Sequence, residues 1–305
     1  MAEKVMNPKI SIIIPSYNSA KTIGSVLEAI AAQTRKELIS EIIIVDSSDD
    51  AVTKEVLERR VVPNVRIISA GTRVMPAVGR NLGAKNPGGD ILLFLDSDTC
   101  LEKDYIEKVA SVCETGARAG GGAILLPDFQ RNKLMPLVQY FLQCNEFIDV
   151  GGTRKKRFIP SCNVFCERAL FEKVGGFPEI RAAEDVMFCL NLIQHEPFWF
   201  LPQAKVYHIF REDLGSFFAN QALLGEYVLR YRRLAYPEKF YYRGYFAVVF
   251  TPAFLVIKFC LITLRILRSR WEYIGKYLVT LPVFLVGLLA WGAGFARGAF
   301  RERSH

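Results

Sequence analysis

The residues of this 305-residue chain best suited to chemistry are carboxylates that close apolar runs. Asp46 follows Ile42–Val45, and Asp96-Ser97-Asp98 follows Ile91–Leu95. Side chains alternate along an extended segment, so Asp96 and Asp98 point the same way and form one wall. Two like charges that close are costly unless a cation joins them. Hard oxygen ligands of this kind suit Mg2+ or Mn2+ bridging a substrate diphosphate. An Asp-x-Asp triplet in a surface loop carries no such meaning, whereas a carboxylate closing a wholly apolar strand belongs to a site. Farther along, Glu184-Asp185 opens a helical pattern. A carboxylate there can take the proton of an attacking hydroxyl, although an acidic pair at a helix start also complements the helix dipole. His208 lies on a strand-like segment, where a lone imidazole most simply reads as a hydrogen-bonded structural residue.

These residues need elements to hold them. Ile10–Pro15 reads as a buried strand, and Ser19 as the cap of a helix with Ile23, Val26, Leu27 and Ile30 at helical spacing. Glu41–Val45 and Val65–Ser69 read as buried strands, Pro76–Lys85 as a helix and Asp90–Leu95 as a fourth strand. Strand–helix alternation with continuously apolar strands predicts an α/β fold, its parallel sheet covered on both faces. Ligands bind such sheets beyond the carboxyl ends of the strands. Past Ala117 the pattern mixes, with a Gly120–Gly122 run, a helix near Leu134–Cys144 and a basic tract, Arg154–Arg157. Cys162–Cys166 looks like a strand whose two thiols pack. Helices follow near Arg168–Val174 and Ala183–Gln194, then a strand at Lys205–Phe210 and a long amphipathic segment at Leu214–Leu234.

Composition narrows the class. Apolar residues make up 51% and charged residues 23% of the chain, enough to build a core and to exclude disorder. The net charge of +8 is not spread evenly. Residues 1–240 carry 30 Lys/Arg against 29 Asp/Glu, and residues 241–305 carry 9 against 2. A neutral body with a basic, apolar tail fits a membrane rather than a nucleic acid. The expected division is therefore a domain over 1–240 and a membrane region over 241–305. Seven scattered cysteines without a CxxC pair indicate neither a disulfide framework nor a zinc site. They suit a reducing compartment. The N-terminus shows no secretory signal, because Ile10–Ile14 is short and Pro15 ends it. The expected location is the inner or plasma membrane with the body in the cytoplasm.

The tail offers two apolar helices, about 245–267 and 277–296, each long enough for roughly 30 Å of hydrocarbon. Arg265, Arg268, Arg270 and Lys276 lie between them, and Arg297, Arg301 and Arg303 follow the second. The positive-inside rule would keep both ends of the second helix in the cytoplasm, which a full crossing forbids. Either the bias is overridden or the helices lie in the interface. The basic tract at 154–157 is a solvated loop or a patch for anionic head groups or an acceptor phosphate.

Several segments together resemble family-2 glycosyltransferases. They are Ile12-Ile13-Ile14-Pro15-Ser16-Tyr17-Asn18, Glu41–Val45 with Asp46-Ser47-Ser48-Asp49-Asp50, Gly79-Arg80-Asn81-Leu82-Gly83-Ala84 and Phe94-Leu95-Asp96-Ser97-Asp98-Thr99. Gly175-Gly176-Phe177-Pro178, Ala183–Phe188 and His208 extend the likeness, which covers roughly residues 8–212 in the family's order. The resemblance implies a GT-A fold, mostly parallel and flanked by helices, that takes a nucleotide-diphosphate sugar with Mn2+ or Mg2+ and inverts the anomeric carbon. By that likeness Pro15 and Tyr17 would shape the base pocket, Asp46 would accept from the base edge and Arg80 would help hold the nucleotide. Asp96 would lie near ribose or sugar, Asp98 would ligate the metal and His208 would complete its site. Glu184 and Asp185 would form the catalytic pair, Asp185 being the base. Where the family often has Asp-Asp-Gly-Ser, this chain has Asp46-Ser47-Ser48-Asp49.

The expected activity is transfer of one sugar to the hydroxyl of a membrane lipid or lipid-linked glycan, with no nucleic-acid partner. A polyprenyl phosphate is the alternative acceptor; already ionised, it would not need Asp185 as a base. A nucleotidyltransferase would want a Gly-rich, Arg-containing loop after the first strand, which Pro15–Ser19 lacks. A non-catalytic scaffold would have no reason to keep Asp96, Asp98 and Asp185 together. A processive synthase would want Gln-x-x-Arg-Trp, and Gln221 is followed by Ala222-Leu223-Leu224-Gly225.

Overall fold

The computed structural model describes residues 7–59, 62–180 and 182–300; Arg301 and Arg303 lie outside them. In chain order come β1 (Ile10–Ser16), α1 (Ile23–Ala31), β2 (Ile39–Asp46), α2 (Ala51–Arg59), β3 (Val65–Ser69), α3 (Pro76–Gly83) and β4 (Ile91–Leu95). Next are β5 (Thr99–Leu101), α4 (Tyr105–Glu114), β6 (Ala119–Leu125), α5 (Leu134–Gln143), β7 (Arg154–Lys156) and β8 (Asn163–Glu167). Then follow α6 (Arg168–Lys173), α7 (Glu184–Leu192), β9 (Phe198–His208), α8 (Leu214–Ala235), α9 (Gly244–Leu267) and α10 (Trp271–Gly298). Two compact units result: Met1–Leu125 with Gly151–His208, and Leu126–Val150 with Ile209–His305. The stretch 126–150 thus packs with the C-terminal helices rather than with the strands on either side of it in sequence.

In the first unit the described strands form one sheet, ordered β3-β2-β1-β4-β8-β6-β9-β5, with β7 on β9. The α/β fold is as expected, and β3, β2, β1 and β4 run parallel. Beyond β4 the sheet is mixed: β8 is antiparallel to both β4 and β6, β6 is parallel to β9, and β5 and β7 are antiparallel to β9. The strand–helix repetition that enforces parallel pairing stops at Asp96, and antiparallel neighbours need no crossover helix. β3 is half-exposed along its length rather than buried, because it is the sheet edge.

Several local readings change for identifiable reasons. Ser19 does not cap α1 with its side chain: its carbonyl accepts from the Thr22 and Ile23 amides, while its Oγ lies 2.8 Å from Ser16 Oγ. Arg154–Lys156 of the basic tract form strand β7 instead of a loop, their cations lying over aromatic rings of β9, and Arg157 follows the strand. Arg154 sits 4.6 Å from the Phe200 ring and Lys155 5.2 Å from that of Trp199. The Gly120–Gly122 run is a strand because side chains would not fit between β8 and β9. A Cβ at Gly121 would stand 2.1 Å from the Asn163 carbonyl oxygen, and one at Gly122 1.8 Å from that of Ala204. Buried Asn163 fixes this seam, its amide donating to the Gly122 carbonyl (2.8 Å) and accepting from the Gly122 N–H (3.1 Å). On the other side of the sheet order, α3 approaches β1 closely: a Cβ at Gly83 would meet Ile13 at 2.6 Å.

In the second unit α10 buries Tyr277, Phe284, Trp291 and Phe295. Leu229, Ala247, Trp291, Phe295 and Ala299 form its core. All seven thiols are free, with Cys162 and Cys166 buried in the first unit and Cys260 exposed on α9. By length and composition α9 (24 residues, mean hydropathy 2.3) and α10 (28 residues, 2.0) are long and apolar enough to cross a membrane. α10 begins six residues before the uncharged stretch, its first turns supported by a Glu272–Lys276 pair one turn apart at 3.5 Å.

Candidate active site

The carboxyl ends of β2, β1 and β4 lie side by side, since Ser16 pairs with Asp46 and Ile13 with Phe94. Asp46 is buried at the end of β2, where its Oδ1 accepts from Ser48 Oγ (2.6 Å), Ser16 Oγ (3.1 Å) and the Ser48 N–H (3.3 Å). The serines at 47 and 48 are buried as well, so this strand end is braced from within. Beyond it, Asp49 accepts from Asn18 Nδ2 (2.7 Å) and the Tyr17 hydroxyl (2.9 Å), and these bonds hold its carboxyl below the usual range. The loop after β1 is thereby tied to the loop after β2. Asn18 takes a left-handed φ of 50°, which its short polar side chain tolerates. Tyr17 presents its ring to Arg73, whose guanidinium lies 4.3 Å from the centroid. Pro15 seals the base of this loop against Gly79, where a Cβ would meet it at 3.0 Å.

A second group forms around Asp98. Ligand atoms of Asp96, Asp98 and His208 all lie within 4.8 Å of one another, and His208 Nε2 is 3.5 Å from Asp98 Oδ1. Strand β5 makes this possible: Thr99 pairs with His208, which brings the end of β9 beside the residue preceding β5. Two carboxylates and an imidazole, gathered at a strand end and only partly buried, fit a divalent ion such as Mn2+, which accepts oxygen and nitrogen donors. Asp98 and His208, expected at a metal, are therefore brought together, and Asp96, expected near ribose or sugar, joins them.

The third group is centred on Arg80 of α3, whose side chain is 3% exposed. Its Nη2 donates to Asp96 Oδ1 (2.6 Å) and its Nη1 to Glu184 Oε1 (3.0 Å). The guanidinium also stands 5.4 Å from the Phe177 ring. Asn81, the next residue, grips the Phe177 backbone on both sides: its Nδ2 donates to the carbonyl (2.8 Å) and its Oδ1 accepts from the N–H (2.9 Å). Arg80 thus links the strand-end carboxylates to the helix that carries Glu184 and Asp185. Ala183, just before that helix, has a left-handed φ of 64°, a strained conformation for a residue with a side chain.

Asp185 differs from Glu184 in having no ion pair with Arg80. Burial pushes its carboxyl up to about 7, repulsion from Glu184 adds to the rise, and Arg80 and the Val186 N–H oppose it. Two adjacent carboxylates thus have different surroundings. One is locked to a guanidinium; the other sits near neutrality, where a proton acceptor works best.

The sequence alone does not pair Arg80 with Glu184, nor give a role to Arg73, Asp49 or Asn81. The Arg80–Glu184 bond spans 104 positions and leaves no local signal. Asn81 was visible as part of the Gly79–Ala84 motif, but its role depends on where Phe177 returns.

Comparison with known proteins converges on one family. The sequence model of glycosyl transferase family 2 matches residues 11–175. An uncharacterized glycosyltransferase of Haemophilus influenzae is 30% identical over 207 residues, which are 62% of this chain and 63% of that protein. The glycosyltransferase AglE of Haloferax volcanii is 28% identical over 176 residues, 56% of each chain. The aligned part thus spans about three-fifths of the length of these relatives. Among solved structures, the mannosyltransferase PcManGT from Pyrobaculum calidifontis in complex with GDP-Man and Mn2+ is similar over 99% of this chain and 90% of its own. The TM-score is 0.66 at 14% identity. GalNAc-T7 with UDP, GalNAc and Mn2+ is similar over 67% of this chain and 43% of its own, with a TM-score of 0.55 at 16% identity. These likenesses show the GT-A fold.

Proposed function

The chain belongs to glycosyl transferase family 2, and we propose that it moves one sugar from a nucleotide-diphosphate donor to a hydroxyl of a lipid or lipid-linked glycan, with inversion. The observation that carries this reading is the meeting of Asp96, Asp98 and His208 beside the Arg80–Glu184 pair and the near-neutral carboxyl of Asp185. Asp98 and His208, with Asp96, would hold the divalent ion, and Mn2+ in the two similar structures supports manganese. When bound, such an ion offsets charge on the leaving diphosphate. Pro15, Tyr17 and Asp46 would form the nucleotide pocket, its walls braced by Ser16, Ser48 and Asp49. Arg80 would position Asp96 and Glu184 through their ion pairs.

In the transfer step the acceptor oxygen attacks the anomeric carbon from the face opposite the phosphate. The new carbon–oxygen bond forms as the sugar–phosphate bond breaks, and its electron pair leaves on the diphosphate. The acceptor's proton passes to Asp185. A carboxylate with an ordinary pKa near 4 would be a weak acceptor for that proton, and burial strengthens it. The apolar tail supports a membrane location, with the catalytic unit at the cytoplasmic face. A lipid acceptor would be found there.

The test is a panel of nucleotide sugars labelled in the sugar, incubated with the purified full-length protein and Mn2+ or Mg2+, with and without a total lipid extract. Label entering the lipid phase, dependent on metal and on one donor, is the expected result. Transfer that persists in an Asp185→Asn variant would redirect the acceptor to a phosphate. Absence of transfer from every donor would contradict the proposal.

A further inference from the structure

The α9–α10 pair is long enough to cross a bilayer, yet its neighbours oppose a crossing on physical grounds. Helix α8 runs alongside the second half of α10 in the same direction. A Cβ at Gly287 would meet the Phe217 ring at 2.6 Å, one at Gly294 the Ala222 carbonyl at 1.8 Å, and one at Gly298 the Glu226 carbonyl at 3.0 Å. At the far end Arg233 donates to the Gly298 carbonyl at 3.2 Å. Backbones this close move as one body.

That register fixes what would lie at the depth of Gly287, which falls about 24 Å along α10 at 1.5 Å per residue, near the middle of a crossing helix. One turn before Phe217, Asp213 caps α8 by accepting from the Ser216 N–H at 2.6 Å. Glu212, the residue before it, pairs with Lys133 at 2.8 Å, both half-exposed. A crossing α10 would carry these charges to mid-bilayer, where ionised groups are rare and costly. Glu226 and Arg230 on α8 would follow.

The exposed surface points to a different arrangement. α9 buries a narrow stripe, Ala247, Thr251, Ile262 and Ile266, and leaves Val249 and Val256 bare. On α10 one face is buried and the other exposes Leu278, Val279, Val286 and Leu289. Cations stand at both ends of each helix: Arg243 before α9, Arg268 and Arg270 at the turn, and Arg297 at the end of α10. At the turn, Arg270 pairs with Asp149 at 2.7 Å and Arg265 with Glu146 at 2.9 Å. A crossing hairpin would set cations on both sides of the membrane, against the usual asymmetry. Helices lying in one leaflet, apolar face down, keep these terminal cations at the head groups of a single surface.

We propose that α9 and α10 do not span the membrane: they lie in the plane of one leaflet of a phospholipid bilayer, with α8 on their solvent side. This inference concerns attachment and stands independently of the transferase reading. Two added-cysteine variants test it, Glu238→Cys before α9 and Ser269→Cys in the α9–α10 turn, each with Cys100→Ser and Cys260→Ser so that only buried native thiols remain, and the Cys100→Ser, Cys260→Ser protein alone as the background. Sealed right-side-out and inverted membranes of cells expressing the full-length protein are treated with a membrane-impermeant maleimide. Both positions are expected to label from the same side and not from the other. Labelling from opposite sides would overturn the proposal, as would labelling of either only after detergent. Recovery of the protein in the soluble fraction as a dimer would also overturn it, by making a second copy the cover of this face.

Discussion

Replacing Asp185 by Asn is expected to lower sugar transfer by about 10²–10⁴-fold, the usual worth of a well-placed general base, while leaving metal-dependent donor binding intact. The same variant is expected to be the more heat-stable protein at pH 8. Folding raises the Asp185 carboxyl from 3.8 to about 7. Between those values the folded state holds more protons than the unfolded chain, so wild-type stability falls as pH rises through the window. Asn carries no such penalty. The stability gap should therefore be widest above pH 7 and vanish below about pH 4, the unfolded-state value. Melting curves at pH 4, 6 and 8 check the sign. Wild-type turnover should fall on the acid side of a pH near 7, as Asp185 takes up a proton before the acceptor can deliver one. An acid limb near 4 would remove Asp185 from the role of base, and a variant less stable than wild type at pH 8 would contradict the burial effect.

Arg80→Met should be the most damaging substitution for stability in the catalytic unit. The guanidinium is the shared partner of Asp96 and Glu184 and is almost wholly buried. Methionine matches the stem but leaves two carboxylates facing each other without a cation. Removing one member of a buried ion network costs about 3–5 kcal/mol, a large share of a typical folding free energy of about 5–15 kcal/mol. Arg80→Lys should recover only part of this loss, because an ammonium cannot span both carboxylates as the planar fork does. Adding Glu184→Gln to Arg80→Met should restore stability, since the removed charge is one of the two left unpaired. Urea unfolding of the four proteins forms a double-mutant cycle with Glu184→Gln alone as its fourth corner. Strictly additive effects would show that the pair seen between Arg80 and Glu184 carries no energy.

Much of the site was legible because its residues stand at the ends of apolar runs. Ile91–Leu95 could only be a buried strand, and its closing carboxylates had to lie where ligands bind. Helix α4 was legible in principle and was missed: Tyr105, Ile106, Val109, Ala110 and Cys113 are buried at helical spacing. Strand β5 was beyond reach, since three residues have no period. That short strand brings His208 beside Asp98, so the place of His208 in the candidate metal group could be inferred only by family likeness, whereas Asp96 and Asp98 were legible from the strand they close. The antiparallel half of the sheet was hidden for a related reason. Strand direction there follows from the return of the chain through β8 and β6, and an apolar run reads the same in either direction. The packing of 126–150 with the C-terminal helices was likewise invisible, because it depends on Tyr273 and Tyr277 meeting Tyr140 and Phe141 across the sequence.

The central claim is that Asp96, Asp98 and His208 together hold a divalent ion for the donor's diphosphate. Electron paramagnetic resonance of Mn2+ measures it directly, because the sharp signal of the free ion is lost on binding. The protein is titrated with Mn2+ in the presence of a nucleoside diphosphate, beside Asp98→Ala and His208→Ala variants whose folding is checked by melting. The expected result is saturable loss of the free-ion signal with wild type, deeper with the nucleotide than without it, and strongly weakened in Asp98→Ala. Equal binding by wild type and Asp98→Ala, or no binding by either, would contradict the claim.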